Sequence, residues 1–161
     1  MSNIGDTTSE AAASKIHEFT TVSGADTIEV GRKLAGLLKP PQLLLLRGDL
    51  GTGKTTLVKG IAEALDAAEA DEVTSPTFTL LHEYDGTQDG KALKLYHLDV
   101  YRLEGERQLE TLGLDELLTP DALMLVEWGD KFKSIRKRAT GEIAIVSTGG
   151  DARKITVTLK D

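Results

Sequence analysis

The chain of 161 residues has no cysteine, a single tryptophan and a single asparagine, and aromatic residues make up only 4% of it. Without cysteine there are no disulfides, no thiolate metal sites and no thiol nucleophile, a usage that fits a reducing compartment. Histidine is also scarce, and His17, His82 and His97 lack the ligand spacing of a transition-metal site. No apolar run approaches the roughly 20 residues that cross a bilayer. The opening "MSNIGDTTSEAAASK" has acids where a secretory leader needs bases, and it has no apolar stretch. Residues 1–15 are therefore expected to form a mobile tail, with residues 16–161 as one domain and the cytoplasm as its setting. Positive charge is in deficit, with 19 Lys and Arg against 26 Asp and Glu and a net charge of −7. That balance argues against unassisted binding to nucleic acid or to an anionic membrane.

What is present is a strand and helix wrapped around glycine. In "LLLLRGDLGTGKTTLVKG", Leu43 to Leu46 read as a strand buried on both faces. From Lys54 the apolar residues Leu57, Val58, Ile61, Ala62 and Leu65 recur at helical spacing. Gly48, Gly51 and Gly53 let the intervening backbone gather several N–H groups at a helix N-terminus, where the macrodipole also favours an anion. Lys54 adds a full positive charge, and the Thr55 hydroxyl suits a magnesium ion. Gly48, four residues, Gly53, Lys54 and Thr55 spell the P-loop in full, a nucleoside triphosphate site.

The rest of the chain alternates strands with helices. A short strand near Phe19 to Val22 precedes a helix in "SGADTIEVGRKLAGLL", which Pro40 and Pro41 end. "VTSPTFTLLHEY" and "KALKLYHLDVYRL" read as strands joined by the turn "DGTQDG". "QLETLGLDELL" reads as one or two short helices, "ALMLVEW" as a buried strand and "KFKSIRKRA" as a short basic helix. "EIAIVS" and "KITVTL" form a hairpin about Gly149–Gly150. The expected architecture is α/β: a P-loop NTPase with a mainly parallel sheet flanked by helices and a C-terminal antiparallel hairpin.

Hydrolysis needs a placed metal and an oriented water as well as a cradle. Glu127, after four apolar residues, stands at the Walker B position, where it can hold magnesium through water or polarise the attacking water. Period two puts His97, Asp99 and Tyr101 on one strand face. Asp99 suits either a metal or water site or a salt bridge to Arg102 or Lys54. Thr74, Ser75 and Thr77 offer hydroxyls for a switch-like loop or a plain strand-entry turn. Trp128 suits a nucleotide base or the sheet edge. Lys131, Lys133, Arg136, Lys137 and Arg138 form a basic cluster, either a solvated helix face or a surface for an acidic partner or RNA. Guanine specificity is not written here: the one asparagine is Asn3, so no N-K-x-D segment exists, and D-x-x-G is absent. ATP is the better nucleotide.

"GDLGTGKTTL", "SPTFTL", "YHLDVYRL" and "LVEW", in that order and spacing, resemble the TsaE (YjeE) family, small bacterial ATPases required for threonylcarbamoyladenosine (t6A) in tRNA. The resemblance implies that Asp49, Leu50, Gly51, Thr52, Gly53, Lys54, Thr55 and Thr56 wrap the phosphates of ATP. It implies Lys54 on the β- and γ-oxygens, Thr55 and Glu127 about magnesium, and Asp99 as a second essential acid near the γ-phosphate. Thr27 would lie near the adenine. The family's partners are TsaB and TsaD; TsaD transfers the threonylcarbamoyl group, and ATP hydrolysis resets the assembly, so tRNA would be met only through the complex. Two other classes share the cradle: a small-molecule kinase with "KFKSIRKR" as a basic lid, and a nucleotide-gated binding module.

Overall fold

The computed structural model describes residues 3–11, 14–77 and 79–160. Its strands are β1 (Asn3–Ala11), β2 (Ser14–Thr21), β3 (Gln42–Arg47), β4 (Leu81–Gln88), β5 (Lys91–Asp99), β6 (Ala122–Glu127), β7 (Gly141–Gly149) and β8 (Ala152–Lys160). The helices are α1 (Gly24–Ala35), α2 (Lys54–Ala64), α3 (Glu106–Glu110), α4 (Leu114–Leu117) and α5 (Lys133–Arg138). The strands form one sheet in the order β1-β2-β8-β7-β3-β6-β5-β4. The central strands β7, β3, β6 and β5 run parallel to one another. Antiparallel pairs extend the sheet at both sides, because only two residues separate the strands of β1–β2, β4–β5 and β7–β8, too few for a parallel crossover.

The burial pattern explains the layers. Leu44 and Leu46 of β3 and Leu123 and Leu125 of β6 face a cluster with Val30, Leu34, Leu57 and Ile61 of α1 and α2. Leu43, Met124 and Val126 point the opposite way, towards Leu109, Leu114 and Ile135 of α3, α4 and α5. All six residues of β6 are buried, as a strand covered by helices on both faces requires. Helices α1 and α2 meet through glycine. A Cβ on Gly60 would lie 1.9 Å from the Ile28 carbonyl oxygen, and one on Gly31 would lie 2.3 Å from that of Leu57.

Several boundaries differ from the sequence reading. Asn3–Ala11, assigned there to a tail, pairs with β2 through Ala11↔Ser14 up to Asn3↔Thr20. "NIGDTTSEA" carries no apolar alternation to announce a strand, and its pairing rests on backbone groups. The turn between β4 and β5 narrows to Asp89–Gly90, both at positive φ, while Asp85–Gln88 remain in β4. "VTSPTFTL" lies before β4 rather than within it, and Phe78 is outside the described residues. Helix α1 stops at Ala35, ahead of the prolines, with Gly36 N–H closing on Lys33 O. Among the described residues no helix is long and apolar enough to cross a membrane.

Candidate active site

The parallel strands β3, β6 and β5 bring their carboxyl ends to one edge of the sheet. Register sets Leu46 beside Glu127, and Glu127 beside Asp99. Leu44 and Leu46, Leu123 and Leu125, and Leu93 and Leu95 all face the α1–α2 cluster. Alternation therefore turns Glu127, His97 and Asp99 to that same side, where α2 begins.

The loop leaving β3 takes positive φ at Gly51 (79°) and Gly53 (104°), a region other residues enter at a cost. Gly53 caps α2 and, lacking a side chain, makes no capping hydrogen bond at this anion-favouring helix N-terminus. Arg153 of β8 braces the loop from the other side: Nε donates to Thr52 O at 2.6 Å and Nη2 to Gly51 O at 3.4 Å. The Thr52 hydroxyl donates to Asp49 O at 2.7 Å.

Beneath the loop lies a chain of charges. Lys54 Nζ donates to Gly48 O at 2.7 Å and stands 3.1 Å from Glu127 Oε1. Glu127 Oε2 lies 2.7 Å from His97 Nε2. Only 4% of Glu127 is exposed. Burial pushes its carboxyl up, but the hydrogen bond and charge of His97, followed by Lys54, outweigh that and hold it below the ordinary glutamate value. Asp99, 5% exposed, accepts from Thr77 Oγ1 at 3.3 Å and from the Tyr101 N–H at 3.0 Å.

A cavity of about 610 Å³ opens above this row. Its lining takes Leu50, Gly51, Gly53, Lys54, Thr55 and Thr56 from the P-loop and start of α2, together with Ser75, Thr77, Asp99, Tyr101, Glu127 and Trp128. Asp49 and Thr52 line an adjoining cavity of about 430 Å³ that shares Lys54 and Trp128 with the first. Trp128 is 45% exposed, at a left-handed φ of 64°, with its ring centroid 4.9 Å from that of Tyr101 and 5.9 Å from Lys54 Nζ. Thr27 stands apart from both linings: it is buried, and its hydroxyl meets Thr21 Oγ1 at 3.1 Å and Ser23 O at 3.2 Å. The basic segment is packed rather than loose, with Ile135 fully buried and Arg138 paired to Asp115 at 2.7 Å.

The donor set fits magnesium, which takes oxygen ligands and is held by one or two carboxylates plus substrate phosphates. Glu127, Asp99, Thr55 and Thr77 supply such oxygens around one cavity. Among the described residues there is no group of three or more His, Cys, Asp or Glu side chains able to hold a metal. Two residues at the site escape sequence reasoning. Spacing tests His97 only as a metal ligand, whereas its partner is Glu127. Arg153 has no local signal, since its contact with Thr52 joins residues 101 apart.

Comparison with known proteins gives the family. The family model described as threonylcarbamoyl adenosine biosynthesis protein TsaE matches residues 21–155. A tRNA threonylcarbamoyladenosine biosynthesis protein TsaE from Bacillus subtilis is 42% identical over 141 residues, covering 88% of this chain and 84% of that one. Its counterpart from Streptomyces coelicolor is 40% identical over 135 residues, covering 81% and 88% respectively. The crystal structure of Bacillus subtilis YdiB superposes with a TM-score of 0.65 at 35% identity, over 94% of this chain and 90% of that one.

Proposed function

The chain belongs to the TsaE family, whose role is in t6A biosynthesis on tRNA, and from that premise we propose that it is a magnesium-dependent ATPase acting on the TsaB–TsaD complex in the cytoplasm. The observation that carries this reading is the row of Lys54, Glu127 and Asp99 under a glycine-rich loop, all facing one cavity. The N–H groups at the start of α2 suit the phosphates. Lys54, now on Gly48 O and Glu127, would turn to the β- and γ-oxygens when they arrive. Thr55 and Glu127 would hold magnesium, which supplies charge neutralisation at the transferring phosphoryl group. Asp99, which accepts from Thr77 Oγ1, would lie near the γ-phosphate and orient the attacking water. Trp128 and Tyr101 offer an aromatic wall to the nucleotide. The kinase reading loses its lid, because the basic segment is anchored through Ile135 and Arg138.

The test is t6A itself. Depleting the protein should lower t6A in bulk tRNA, and wild type should restore it where Lys54→Ala does not. With purified TsaB, TsaD, tRNA, threonylcarbamoyl adenylate and ATP, the variant should hold modification near one turnover per complex. Repeated turnovers with Lys54→Ala, or no dependence on this protein, would refute the reading.

A further inference from the structure

His97 is an odd choice for a core position. It is 0% exposed, and its Nδ1 has no hydrogen-bond partner among the described residues. A leucine would fill such a place without burying an unpaired polar atom, which costs on the order of 1–3 kcal/mol. Among the described residues the polar partner of His97 is Glu127, with Nε2 2.7 Å from Oε2. The ionised Glu127 can only accept, so His97 Nε2 carries a hydrogen and donates it.

We propose that His97 is the positioning residue of Glu127, holding that carboxylate in place while its other oxygen faces the metal. The inference rests on the ATPase reading above. Glu127 has two anchors, one on each oxygen: His97 on Oε2 and Lys54 on Oε1. Lys54 cannot stay there and also reach the phosphates. Once it leaves, Oε1 is released towards the cavity, and His97 becomes the remaining anchor of a buried charge. Its N–H comes from the middle of a hydrogen-bonded run: β5 lies between β4 and β6, with His97 in register with His82 on one side and Leu125 on the other. A donor fixed in the sheet interior moves little when the loop above it closes on a ligand. Residues that orient a metal-side carboxylate through a second hydrogen bond typically change metal affinity about 10–100-fold when lost.

The experiment measures ATP binding by calorimetry in EDTA and again in excess magnesium chloride, together with thermal melting. His97→Phe should bind ATP in EDTA as wild type does and lose about 10–100-fold of the gain that magnesium brings. His97→Gln, whose amide nitrogen reaches about as far as Nε2, should recover most of that gain. His97→Asn, whose amide sits near the Nδ1 position, should not. If the phenylalanine variant fails to fold, the Gln and Asn pair decides the matter alone. A full magnesium gain in the Asn variant would overturn the proposal. So would an equal loss of affinity with and without magnesium, the signature of simple packing damage. Glu127→Gln separates the two levels: if it too keeps the full gain, the metal role of Glu127 falls and this inference with it, whereas its loss beside an intact Asn variant overturns only the role of His97.

Discussion

Gly60→Ala tests the packing that holds the P-loop helix in place. The added methyl carbon would meet Ile28 O at 1.9 Å, Ile28 C at 2.9 Å and Arg32 N at 3.0 Å, all of them backbone atoms of α1. Ordinary contact starts near 3.4 Å, so α1 must retreat by about 1.5 Å, the shortfall between 1.9 and 3.4 Å. No side chain can swing aside to absorb it. Val30 and Leu34, on the inner face of α1, are fully buried and would lose close packing as the helix moved. Overpacking of this kind costs about 1–3 kcal/mol. Alanine's better helix propensity returns up to about 1 kcal/mol. The net expectation is a loss of about 1–2 kcal/mol, or about 2–8 °C in melting temperature for a chain of this size. Gly36→Ala is the control: its φ is −72° and the new carbon would sit 3.5 Å from Lys33 O, so stability should hold within about 0.5 kcal/mol. Urea and thermal unfolding of the two variants decide it. A Gly60→Ala protein as stable as Gly36→Ala would refute the claim that the helices touch backbone to backbone.

Lys54→Ala should sharply weaken magnesium–ATP binding in calorimetry, because the cradle loses its lysine; unchanged affinity would remove Lys54 from the phosphate site. Glu127→Gln and Asp99→Asn should keep measurable ATP affinity and lose most phosphate release, and wild-type turnover in the Asp99 variant would leave that acid a structural role only. Glu127 also makes a pH prediction. Its folded-state carboxyl lies below the ordinary value, so its ionised form contributes stability in full above about pH 4.3, and that contribution is lost as pH falls through the lower folded value. The acid limb of the urea midpoint should therefore be shallower in Glu127→Gln than in wild type.

The cradle was legible because its chemistry is contiguous: three glycines, a lysine and two threonines must follow one another to surround a phosphate. Glu127 and Asp99 were legible because each closes an apolar strand, and period two gives the face. What joins them was not. The pairing of Glu127 with His97 depends on the register of β5 against β6, which no local pattern states. Arg153 reaches Thr52 only because β8 folds back beside β7 and β7 beside β3. "DGTQDG" suggests a wider turn between β4 and β5 than the structure has, because it holds two Asp–Gly pairs and only the second makes the reversal. β1 was invisible for a different reason: it adds backbone hydrogen bonds at the edge of the sheet, and such bonds leave no periodic trace in side chains.

Trp128 is the chain's one tryptophan, and it stands in the cavity wall within 5.9 Å of the Lys54 ammonium. All indole emission from this protein therefore originates at one place, beside the cation that any bound phosphate would draw away. The molecule carries its own optical reporter. Stopped-flow fluorescence on the unlabelled chain can follow nucleotide arrival and departure in real time, free of background from any second indole.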